Sequence, residues 1–204
     1  MLQSVSVKLT NLFIQKQIIT AQQRPVFEYG FMLTISTLLC VLSILLIAFL
    51  CDALVAGILF LAVFMPLRSC CGGYHCKTYG ACFVVTNLVF SAYLFLLNWS
   101  FFALPEQILP AIAAALALSS AGLIFKFAPV LHKNNPQTKA QQRAARKRAR
   151  LLASCFTFVL LIGICLSHML HVSKYYFFAT SLTMAVVAAM MCMALVKERR
   201  DKHG

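Results

Sequence analysis

Apolar runs of about 20 residues recur along this chain, the length that crosses a ~30 Å hydrocarbon core at 1.5 Å per residue. They lie near 31–50, 53–67, 81–103, 111–130, 151–170 and 175–196, the second being the shortest. Lipid offers backbone N–H and C=O groups no partner, so each run has to satisfy its own, and a long helix does so within one segment. The expected fold class is therefore all-α: a polytopic membrane protein with six transmembrane helices. Residues 1–204 read as a single membrane domain.

Composition agrees. Only 11% of the residues are charged and 61% are hydrophobic, against roughly a quarter charged in an average soluble domain. Residues 1–27 form a polar-to-amphipathic leader, with Leu2, Val5, Leu9, Leu12, Phe13 and Ile19 at roughly helical spacing around Lys8 and Lys16. This pattern predicts an interfacial helix lying on the membrane and ended by Pro25. A first apolar run placed behind such a leader does not resemble a cleavable signal peptide.

The net charge of +13 could point to nucleic acid, but its distribution does not. With the N-terminus inside, every Lys and Arg except Lys174 falls in or beside a cytoplasmic segment: the leader, residues 68–80, Lys126, residues 132–150 and the tail from Lys197. That bias orients a six-span chain with both termini in the cytoplasm. Of the nine cysteines, Cys40, Cys155, Cys165 and Cys192 lie in apolar runs and behave as small hydrophobes. The dense group from Cys70 to Cys82 falls on the reducing side, which argues against a disulfide scaffold.

That group carries the chemistry. It reads Arg68-Ser69-Cys70-Cys71-Gly72-Gly73-Tyr74-His75-Cys76-Lys77, with Cys82 following Gly80. A thiol becomes a nucleophile when a base takes its proton, and imidazole is the usual base near neutral pH. In one continuous helix His75 and Cys82 would stand ~10 Å apart along the axis, beyond hydrogen-bond reach. The backbone must break between them, and Gly80 is the expected place. Gly72 and Gly73 permit a tight turn whose N–H groups could stabilise an oxyanion. Cys82 would then open the third span, where the helix N-terminus favours a thiolate.

The segment 68–87 resembles the accessory gene regulator B family of membrane peptidases. Glu28-Tyr29-Gly30 before the first span, the six-span layout and the length are also similar. The resemblance implies a cysteine endopeptidase that processes a short membrane-bound propeptide into a cyclic quorum-sensing peptide in a bacterial cell membrane. It implies His75 as general base and Cys82 as nucleophile, supported by Arg68, Gly72 and Gly73. A thioester on Cys82, captured by a Cys or Ser of the same peptide, would yield a thiolactone or lactone. Glu28 is a candidate partner for Arg68 or, like Thr86 and Asn87, for His75. Cys70, Cys71 and Cys76 depart from the family's pattern and leave a second choice of nucleophile open.

Lys139, Arg143, Arg146, Lys147, Arg148 and Arg150 are candidates for binding an acidic propeptide tail, alongside anionic lipid. No cofactor or metal is expected, because the Cys/His group lacks the second paired unit of a structural zinc site. A homodimer is plausible by resemblance. Two rival readings remain: a small peptide exporter without chemistry, and a metal or thiol-redox membrane protein.

Overall fold

The computed structural model describes residues 2–72, 78–130, 138–170 and 173–203, without the side chains of 168–170, 199 and 201–203. His75, Gly73 and Cys76 lie outside the described residues. Among the described residues seven α-helices run in chain order: α1 (Leu2–Gln15), α2 (Arg24–Leu50), α3 (Leu54–Cys71), α4 (Tyr79–Ala103), α5 (Leu109–Phe127), α6 (Lys139–Leu170) and α7 (Lys174–His203). Six of them, α2 to α7, are long and apolar enough to cross a membrane. The all-α, six-span expectation holds, and the N-terminal helix is present.

Some boundaries differ from the sequence reading for clear reasons. Pro25 does not end the leader helix; it occupies the first turn of α2, where its missing N–H has no intrahelical acceptor to lose. The leader helix stops at Gln15, and Gln17 follows at φ 56°. Helix α3 runs through Pro66 to Cys71, so the second span is longer than its apolar run. The basic segment expected as a loop is helical from Lys139, making it the first three turns of α6.

Helix α7 is the hub, packing against α3, α4, α5 and α6. It suits that place because small residues let helices approach closely in lipid: Ala179, Ser181, Thr183, Ala188 and Ala194 are all buried. The Ser181 and Thr183 hydroxyls donate to carbonyls of their own helix, so neither is left unsatisfied. Gly57 marks the closest approach of α2 and α3, since a Cβ there would stand 2.5 Å from the Ala48 Cβ. Helix α1 docks on α2 through the buried hydroxyl residues Ser6 and Thr10 and a Phe13–Phe31 ring contact at 5.2 Å, leaving Val5 and Leu12 outward.

Helices α3 and α4 meet mainly through large side chains. Phe60 stacks on Phe64 at 4.7 Å and meets Phe90 and Tyr93 of α4 at 5.0 and 4.9 Å. Phe60, Phe64 and Arg68 repeat every four residues on α3, as Cys82, Thr86 and Phe90 do on α4. That spacing keeps each set on one helix face. The aromatic stack therefore leads along the bundle from Phe60 and Phe90 to Arg68 and Cys82.

Candidate active site

Cys82 is the fourth residue of α4, in its first turn. Thr78 caps the helix: its side chain accepts from the Ala81 N–H at 3.2 Å, and its carbonyl accepts from the Cys82 N–H at 3.1 Å. The N–H groups of a helix's first turn point outward without intrahelical acceptors, and their summed dipole favours negative charge nearby. Helix α3 ends at Cys71 and α4 begins at Tyr79, so the chain does not break at Gly80. Gly80 is already helical, and a Cβ on it would meet nothing within 4 Å.

Gly72 forms the start of that break with φ 70° and ψ −176°, a region closed to residues with a Cβ. A Cβ there would also strike the Val130 carbonyl oxygen. The Val130 N–H donates to the Cys71 carbonyl at 2.9 Å. The segment after α5 thus sits directly on the end of α3, a contact no local pattern announces.

The Arg68 guanidinium reaches across to α4. Its Nη2 lies 3.8 Å from the Cys82 Sγ, and its Nη1 donates to the Met190 Sδ of α7 at 3.3 Å. Its central carbon stands 5.3 Å from the Phe64 ring centroid, within the range where a ring face attracts a cation. Cys40 of α2 comes within electrostatic range of both Cys82 and Arg68. The other motif cysteines are placed differently. Cys71 is wholly buried in the core, and Cys70 lies 3.7 Å from the Ser69 hydroxyl. Among the described residues, no three His, Cys, Asp or Glu side chains gather as metal ligands would.

The candidates for a third member separate cleanly. Glu28 accepts from Arg24 Nε at 2.8 Å, four residues away on α2. The Thr86 hydroxyl donates to the Cys82 carbonyl at 2.8 Å. Asn87 donates to the Phe83 carbonyl at 2.8 Å, while its Oδ1 is buried without a hydrogen-bond partner among the described residues. Asn87 is the one of the three with a buried acceptor left open among the described residues.

The six basic residues of α6 also divide. Arg146 Nε donates to the Ala128 carbonyl at 3.2 Å, and Arg150 Nη2 to the Phe125 carbonyl at 3.0 Å. Both close the carboxyl end of α5, where carbonyls lack helical donors and cations are favoured. Lys139, Arg143, Lys147 and Arg148 are exposed.

Comparison with known proteins now bears on this arrangement. Residues 6–195 match the family described as Accessory gene regulator B. The chain belongs to the accessory gene regulator B family. Two AgrB-like proteins of Clostridium perfringens, from strain SM101 and strain 13, are 25% and 24% identical to it over 147 residues, covering 71% of this chain and 69% of each relative. No solved structure matches. Membership makes this a multi-pass membrane protein of accessory gene regulator systems, concerned with processing or export of their autoinducer peptides. Within the AgrB match, the sequence reading identified Arg68, Gly72 and Cys82 but not Met190, Cys40 or Val130. Phe64 was within reach, since it lies one helical turn before Arg68.

Proposed function

We propose that this AgrB-family protein is a cysteine endopeptidase that cleaves and cyclises a short amphipathic propeptide at the cytoplasmic face of a bacterial cell membrane. The observation that carries the reading is the Arg68 guanidinium 3.8 Å from the Cys82 thiol, in the first turn of α4. A cation and a helix N-terminus meet at one sulfur, the arrangement in which cysteine nucleophiles are found. His75 is the general base, assigned from the family's motif.

The chemistry follows from those roles. Cys82 gives its proton to His75 and attacks a peptide carbonyl, while backbone N–H groups of the Gly72-Gly73 motif hold the oxyanion. The C–N bond breaks, the departing amine takes the proton back from the imidazolium, and the acidic tail leaves. A Cys or Ser of the same propeptide then attacks the thioester, its proton passing to His75 and on to the departing Cys82. The ring closes without consuming water. Closure outruns hydrolysis when the internal nucleophile is held close and water is kept out.

Intact-mass spectrometry of the chain incubated with its propeptide tests this reading. The expected result is an adduct on Cys82 with the mass of the propeptide minus its tail, discharged by hydroxylamine. Tail release with the adduct on Cys70 or Cys76, or export of the peptide with no cleavage, overturns it.

The propeptide's acidic tail docks on the exposed cations of α6, which also meet anionic lipid. Replacing Arg143 and Lys147 by Ser raises the KM for propeptide several-fold with little change in kcat, and the difference shrinks as salt screens the contact. Arg146→Ala instead lowers the thermal midpoint by a few degrees, because it frees a carbonyl at the end of α5. Kinetics at two salt concentrations and a melting curve separate the two classes.

A further inference from the structure

Among the described residues the Arg68 guanidinium meets Phe64, Met190 and Cys82, and the first two carry no reacting atom. Phe64 sits one turn away on the same helix and moves with it. Met190 comes from α7, 122 positions away in the chain, and is only 4% exposed. Its thioether accepts from one arm of the guanidinium while the other arm faces Cys82. A guanidinium is a rigid planar fork, so fixing one nitrogen sets the direction of the other. A leucine of similar volume would fill the space and offer no acceptor.

We propose that Met190 is a positioning residue for the Cys82 thiol chemistry: its sulfur pins one arm of Arg68 so that the other stays against the nucleophile. This rests on the reading of Cys82 as nucleophile. It makes α7 part of the site. Because α7 packs against α3, α4, α5 and α6, the pin ties the charge beside Cys82 to the helix those four share. A shift of α7 against α3 moves the sulfur that holds this arm of the guanidinium.

The test needs no propeptide. Full-length protein in lipid nanodiscs is alkylated with iodoacetamide, and the rate at Cys82 is read peptide by peptide across a range of pH. Met190→Leu is expected to react about threefold more slowly at about pH 7, the low end of what one hydrogen bond is worth. The gap closes at about pH 10, where a thiol ionises whatever its neighbours. Met190→Gln, which supplies a carbonyl acceptor, restores the wild-type rate. Met184→Leu, a fully buried methionine on the same helix, behaves as wild type. A Met190→Leu profile coincident with wild type overturns the proposal, as does an equal slowing in Met184→Leu, or a deficit that persists at high pH. If the profile shifts as expected but Cys82→Ala still processes propeptide, the pin stands and the peptidase reading falls.

Discussion

Cys82→Ala is expected to abolish release of the propeptide tail, and His75→Ala to slow it by roughly 10²- to 10⁴-fold, the usual worth of a general base. The difference follows from their roles. Without the sulfur no thioester forms, whereas without the imidazole the sulfur is still there to attack, with water as a poorer proton acceptor. Arg68→Lys tests the charge beside Cys82. It keeps a cation but loses the fork that spans Met190 and Cys82. A kcat loss near that of His75→Ala, with KM almost unchanged, is the expected outcome. Quantifying tail and cyclic product by mass spectrometry gives both constants. A triple Cys70/Cys71/Cys76 alanine variant that stays active leaves Cys82 as the nucleophile, and one that fails while Cys82→Ala works reverses the assignment.

Gly72→Ala carries the second large effect, on stability. The φ of 70° with an extended ψ costs a residue with a Cβ about 1–3 kcal/mol. The Val130 carbonyl occupies the place the methyl would take. Relieving either problem means breaking the Val130 N–H to Cys71 carbonyl bond, so the combined loss is at least about 2 kcal/mol, in the range set by backbone strain and buried unsatisfied groups. Thermal unfolding in detergent should show a clear drop, with activity falling alongside because α4 begins just beyond this turn. Gly80→Ala is the contrast. Gly80 is helical with open space at its Cβ, and alanine there is expected to be neutral or to stabilise by up to ~1 kcal/mol. A Gly72→Ala protein that melts with wild type would show that the 72–130 contact is not made in the membrane.

These contrasts show which parts of the protein were legible in its amino-acid order. Six apolar runs dictate six long helices because lipid leaves the backbone no other partner, and α2 to α7 follow those runs closely. The motif at 68–82 points to His75 and Cys82 as a pair with Arg68 in support, and the four-residue repeat through Phe60, Phe64 and Arg68 already places three side chains on one face. Local chemistry was read less well where two signals compete. Pro25 both stops and starts helices, and Gly80 is as much a permitted helix residue as a hinge. The polar stretch after Lys139 reads as a loop until α5 is present to receive Arg146 and Arg150.

What only the tertiary structure decided is everything that depends on which helix meets which. Helix surfaces facing lipid and facing protein are both apolar here, so hydropathy cannot say that α7 rather than α2 is central. Packing decides it, through the small and hydroxyl residues that let α7 come close to four neighbours. From that choice come Met190 against Arg68 and Val130 over Gly72, contacts between residues far apart in the chain. The sequence by itself determined the spans, the motif and the chemistry its residue types can perform. The fold determined where the guanidinium is held and why Gly72 must be glycine, because both are set by distances that no period in the chain encodes.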